Sequence, residues 1–187
     1  MNNENTNKDQ SRSEVRTRRG YLPKFALFHP NAKCTGCAIK MEMHPARHDS
    51  DGYIMAIFAN QMTVGERVGD KITYSTFDWE NMVCVKLDFN DLTKMLEVLR
   101  GLKPSLEDGR GLFHLSASGT TKITLHKVEQ SDAYALEVYR NKPSNPNPTS
   151  ARIILKSSEA YGIALAIEDS LGAICFGVPY GADAANL

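Results

Sequence analysis

The sequence predicts an α+β fold in which two four-stranded antiparallel sheets are each followed by a helix. Three observations predict it. A Leu-Phe-His triplet occurs at residues 27–29 and again at 112–114. Each triplet leads into segments where apolar and polar residues alternate, the period of a half-buried strand. Each set of strands then runs into a stretch with apolar residues at helical spacing. A four-stranded sheet with one apolar face needs a cover, and the two helices supply it. One pseudo-twofold domain built from a tandem β-β-β-β-α repeat is therefore expected over residues 25–178. Repeat one is placed at 25–102, a linker at 103–110, repeat two at 111–172 and an apolar C-terminal segment at 173–178, with 179–187 a flexible tail.

Residues 1–24 are polar and lack hydrophobic periodicity, so they cannot bury enough apolar area to offset their ordering entropy and are expected as a disordered tail. They hold six basic and three acidic side chains, a net +3 on a body of net −3. After the first triplet, the turn-prone NAKCTG leads into Ile39, Met41 and Met43 interleaved with Lys40 and Glu42. In the second copy LSASG leads into Ile123 and Leu125 interleaved with Lys122, Thr124 and His126. Third strands are expected at 53–59 (YIMAIFA) and 134–140 (YALEVYR). The next connection is a Pro- and Asn-rich loop in copy two, NKPSNPNPTS, and a longer one in copy one with a β-like piece, KITYSTF at 71–77. Fourth strands at 82–87 and 151–156 precede the helices. Asp88 and Ser157 or Ser158 are the expected N-caps, because their side-chain oxygens accept from first-turn amides. Leu92, Met95, Leu96, Leu99 and Leu102 form the stripe of the first helix; Tyr161, Ala164, Leu165 and Leu171 answer them in the second. Ala173 to Val178 either extend that helix by a turn or form a short strand, and Pro179 and Gly181 end regular structure.

Composition excludes more than it assigns. The 187 residues carry 22 basic and 22 acidic side chains, and 42% are hydrophobic. No apolar run approaches the roughly 20 residues needed to cross a bilayer, so no membrane partner is expected. The N-terminal stretch has no apolar core of a secretory signal, and the four cysteines read as reduced thiols in a cytoplasm. A formal charge of zero removes the simplest compositional argument for nucleic-acid binding.

The sharpest local motif is Cys34-Thr-Gly-Cys37 followed by His44 and His48. Two thiolates and two imidazoles suffice for tetrahedral zinc, but the intervening AIKMEM is a strand that holds the pairs apart, so a turn with free thiols is expected and no metal or cofactor. Cys84 and Cys175 are expected in the core. There is no GxSxG, no phosphate-cradling glycine loop and no HExxH. His29 and His114 occupy matched positions, which favours a structural role such as satisfying a strand end. Asp78, Asp88 and Asp91 read as caps and turns. The chain is expected not to be an enzyme.

The four-strands-then-helix order, given twice, resembles that of the Whirly and PUR-repeat proteins and their relatives among single-stranded-DNA-binding transcriptional regulators. That resemblance covers about residues 25–175 and rests on topology. It implies two curved sheets packed with two helices and single-stranded nucleic acid along exposed sheet surface. Such binding needs aromatic rings for bases and cations for phosphates on one face. Lys122, Thr124 and His126 share a solvent face, with Glu137 and Tyr139 beside it; the first copy offers Lys40 and Glu42, with Phe58 and Trp79 as stackers. Lys40, Lys122, His126, Tyr139 and Arg140 are the expected nucleic-acid contacts, with the basic arm adding salt-dependent affinity. Two other readings stay open: a protein-interaction or oligomerisation module using the sheet face or the C-terminal segment, as in closed homo-oligomers, and a small zinc-binding module on Cys34, Cys37, His44 and His48.

Overall fold

The structure, a computed structural model, describes residues 24–178 except 118 and 144, with the side chains of 145–147 also outside the description. The expected tails at 1–23 and 179–187 lie outside the described residues. Lys24, expected in the tail, is the first residue of β1 and sits opposite Glu42.

In chain order the elements are β1 (Lys24–His29), β2 (Cys37–His44), β3 (Tyr53–Asn60), β4 (Arg67–Val68), β5 (Lys71–Ile72), β6 (Val83–Leu87) and α1 (Phe89–Leu99). After a short 3-10 turn at Leu106–Gly109 come β7 (Leu112–Ser116), β8 (Gly119–Lys127), β9 (Tyr134–Lys142), β10 (Asn145–Leu155) and α2 (Ser157–Phe176). Two antiparallel four-stranded sheets result, ordered β1-β2-β3-β6 and β7-β8-β9-β10, each followed by a helix.

Alternation decides what each strand buries. On the first sheet Ile39, Met41, Ile54, Ala56, Phe58, Val83 and Val85 point inward; on the second Ile123, Leu125, Leu136, Val138 and Ile153 do. These faces share one core with Leu92, Met95 and Val98 of α1 and Ile163, Ala164 and Ile167 of α2. Burying each Val, Leu, Ile, Met or Phe side chain among them is worth roughly 1.5–3 kcal/mol.

The first helix starts as the sequence requires. Asp88 accepts from the Asp91 amide at 2.9 Å while the Asp91 carboxylate accepts from the Asp88 amide at 3.3 Å, a reciprocal capping box. It ends at Gly101, whose φ of +73° lets the Leu102 amide turn back to the Glu97 carbonyl. Leu102 is therefore outside the helix and exposed, not part of its stripe.

Five further expectations are corrected. The Pro- and Asn-rich stretch is not an open loop: β10 begins at Asn145, within it, and runs eleven residues. Its prolines are tolerated because β10 is an edge strand and the pairing slips between Asn145 and Thr149. The piece at 71–77 forms only the two-residue β5, paired with β4, and an isolated bridge from Phe77 to Gln61. The N-cap of α2 is Lys156, whose amide donates to Glu159 at 2.8 Å, so both candidate serines lie inside the helix as its first two residues. Tyr161 and Leu165, expected in the stripe of α2, face solvent, while Ala160, Ile163 and Ile167 are buried. Residues 173–176 do extend α2. Cys84 lies half-exposed on the outer face of the first sheet and Cys175 is exposed, so neither is a core thiol.

Candidate nucleic-acid interface

Each sheet has an outer face turned away from the shared core. On the second sheet the register aligns Phe113, Lys122, Tyr139 and Ser150 as one row across all four strands. Phe113 is 63% exposed and Tyr139 40%. The Lys122 ammonium stands 5.3 Å from the centre of the Phe113 ring. The neighbouring row holds Thr124, Glu137 and Arg152. Glu137 ties the rows together, accepting from Arg152 Nε at 3.0 Å and from the Tyr139 hydroxyl. That hydrogen bond, then burial and the carboxylate's charge, push the Tyr139 phenol above its ordinary pKa, so the hydroxyl stays a donor.

The predicted contacts divide by parity. Lys122 and Tyr139 are direct cross-strand partners, and His126 shares their face two rows along, opposite Ala135. Arg140 follows Tyr139 by one residue and so lies on the opposite face with Val138; its Nε is buried and its charge reaches the Cys84 thiol. Lys40 belongs to the first sheet.

There the outer face carries an aromatic cluster. Phe28 of β1 packs on Phe77 at 5.5 Å and Trp79 at 6.4 Å between ring centres, over Ala38 and Ala59. Lys40 Nζ sits 3.5 Å from the centre of the Trp79 ring, a close cation–π contact. His44 and Tyr53 stack at 4.4 Å further along, with Lys86 above Tyr53. Phe58, the other expected stacker, points into the core and is 2% exposed; the residue before it on the strand is the one that faces out.

The two histidines matched by the triplets have matched partners. His29 Nε2 lies 2.9 Å from Glu159 in the first turn of α2, and His114 Nε2 lies 3.2 Å from Asp91 in the first turn of α1. Each sheet's leading strand is thus tied to the helix that follows the other sheet. Burial opposes ionisation of Glu159, but the Lys156 amide and His29 outweigh it and hold the carboxyl below its ordinary pKa. For Asp91 burial wins and raises the pKa despite His114. Asp78 is capped by the Asn81 amide and side chain.

The proposed zinc donors stay apart. Cys37 opens β2 and His44 closes it, at opposite ends of an eight-residue strand. Burial pushes the Cys37 thiol up to about 11, away from thiolate chemistry. Among the described residues no three His, Cys, Asp or Glu side chains form a group able to hold a metal.

Sequence reasoning missed Gln61 and Asn60. Gln61 is buried where the β1–β2 loop meets the end of β3. Its Oε1 accepts from the Asn31 and Gly36 amides at 2.9 and 3.1 Å, and its Nε2 donates to the Asn31 and Thr63 carbonyls. Gly36 is required there, since a Cβ would fall 2.2 Å from the His29 carbonyl oxygen. Asn60 Nδ2 donates to the Ser150 carbonyl at 2.8 Å, joining the first sheet to the edge of the second.

No protein-family model and no curated protein matches this sequence. Solved structures do. The chain is similar to WHY1 from Arabidopsis thaliana at 11% identity, with a TM-score of 0.66, over 83% of this chain and 86% of that one. It is similar to the plant transcriptional regulator PBF-2 at 14% identity and TM-score 0.63, over 82% of each chain. A guide-RNA-binding protein complex bound to a guide RNA matches at 14% identity and TM-score 0.55, over 80% of this chain and 90% of that one. The fold of this chain is Whirly-like.

Proposed function

We propose that this chain is a non-enzymatic module that binds single-stranded nucleic acid across the outer face of its second sheet. The carrying observation is the row Phe113–Lys122–Tyr139–Ser150, which alternates rings with a cation along one line. Rings accept bases by stacking, which requires unpaired bases, and the ammonium offsets phosphate charge. Lys122, Tyr139 and His126 are the contacts of this face. Lys40 with Trp79 supplies the same chemistry on the first sheet. Likeness to a guide-RNA-binding complex and to a plant transcriptional regulator supports the same reading.

Photo-crosslinking tests the location. A single-stranded oligonucleotide carrying 5-iodouracil should give adducts in peptides spanning 112–116 and 134–142. Adducts confined to α2 would refute the proposed face.

A second reading has its own observation. Tyr161, Leu165, Phe176 and Val178 leave an apolar outer side on and just beyond α2, with Phe176 90% exposed. Self-association through this side would bury an exposed apolar strip while leaving the outer face of the second sheet free. Light scattering across a concentration series tests it; a monomer throughout would end it.

A further inference from the structure

A groove of about 390 Å³ lies where the β1–β2 loop of the first sheet meets the outer face of the second, lined by Cys34, Asn60, Glu137, Tyr139, Ser150 and Arg152. We infer that this groove is a guanine-selective base site, with the Tyr139 ring as the stacking surface and the Glu137–Arg152 pair as the reader. The inference rests on the proposed binding of single-stranded nucleic acid and deepens it.

Both walls are fixed in advance. The loop wall is held by the four hydrogen bonds of buried Gln61, and the Asn60–Ser150 bond fixes its distance from β10. A site ordered before binding loses less entropy when occupied. The floor is acidic and basic side by side. The two oxygens of Glu137 each hold one donor, Arg152 Nε and the Tyr139 hydroxyl, and a carboxylate offers about four lone-pair positions, so each oxygen keeps one to offer. Arg152 uses one of its five N–H groups on Glu137, and its side chain is 59% exposed.

Among the bases only guanine presents two adjacent donors, N1–H and the 2-amino group, next to the acceptors O6 and N7. A carboxylate matches the donors and a guanidinium matches the acceptors. Adenine and cytosine would set a ring-nitrogen acceptor against Glu137. Thymine and uracil offer a single N–H flanked by two carbonyls, which the carboxylate repels. The closed Tyr139–Glu137–Arg152 set holds the reader in one orientation and keeps the phenol protonated.

The test is anisotropy of the full chain with a labelled oligo(dT) carrying one central dG, dI, dA, dC or no replacement, at one salt concentration. The dG strand should bind about fivefold or more tightly than the dA, dC and all-dT strands. The dI strand, which lacks the 2-amino group, should fall between. Glu137→Gln should bring all strands within twofold of one another. Equal affinity of all strands for the unmodified chain would overturn the base site and leave the proposed function standing. A preference that survives Glu137→Gln would overturn the reader. Binding to none of the strands would overturn the proposed function itself, and the base site with it.

Discussion

Tyr139→Ala removes the ring at the centre of the outer row while leaving the backbone ladder of β9 intact. Tyr139 is 40% exposed and flanked by Lys122 and Ser150, so a base has access to it. Stacking of one base on an aromatic ring is worth roughly 1–3 kcal/mol, so affinity for a single strand should fall about 5- to 150-fold. The change removes no cation. The dependence of log affinity on log salt should therefore keep its slope, whereas Lys122→Ala should reduce that slope by about 0.7 for each phosphate released. Tyr139→Phe separates the ring from the hydroxyl bonded to Glu137, and should bind oligo(dT) far closer to the parent than Tyr139→Ala does. Anisotropy titrations with a short labelled oligo(dT) at three salt concentrations measure both quantities. Unchanged affinity in Tyr139→Ala, or a loss equal in Tyr139→Phe, would refute the stacking argument.

Three further outcomes are expected. Deleting residues 1–23, which carry five basic and three acidic side chains, should flatten the salt slope of binding without removing binding, as read by the same titrations. Gln61→Ala should lower stability by about 1–3 kcal/mol in denaturant unfolding, because the buried Gly36 amide loses its acceptor. Glu159 has a folded pKa below its ordinary value, so its stabilising share is fully present above the usual carboxylate range and is lost as pH falls through the folded value. Glu159→Gln should accordingly be less stable than the parent at neutral pH, and the two should converge as pH falls below about 4.

Much of the fold was legible because it rests on local periodicity. Alternation in 39–43, 122–126 and 134–140 located β2, β8 and β9, and Asp88 marked the start of α1 through a box closed within three residues. What escaped depends on context that the local pattern does not carry. Prolines 146 and 148 read as loop, yet β10 accepts them because it is the edge strand of its sheet and its pairing with β9 slips between Asn145 and Thr149. Lys156 caps α2 through its backbone, with the carboxylate of Glu159 as acceptor, so no cap-forming side chain announces the start.

The candidate site was partly legible for the same reason. Period two puts Lys122, His126 and Tyr139 on one face. The same rule sends Arg140 to the other face and Phe58 to the core, so both were readable in the pattern and misassigned. The aromatic cover of the first sheet was less accessible: Phe77 and Trp79 reach Phe28 from a connection about fifty residues downstream. The histidine pairs span still more, with His29 and Glu159 130 positions apart. The matched triplets identified the histidines, while only the fold supplied their carboxylates.

The proposed function requires the outer sheet face to bind unpaired bases. Anisotropy with labelled single-stranded and duplex oligonucleotides of one sequence, at low and moderate salt, measures this. Micromolar or tighter binding that favours the single strand and weakens as salt rises is expected. Duplex bound as tightly as single strand, or no binding at low salt, where charge is least screened, would contradict it.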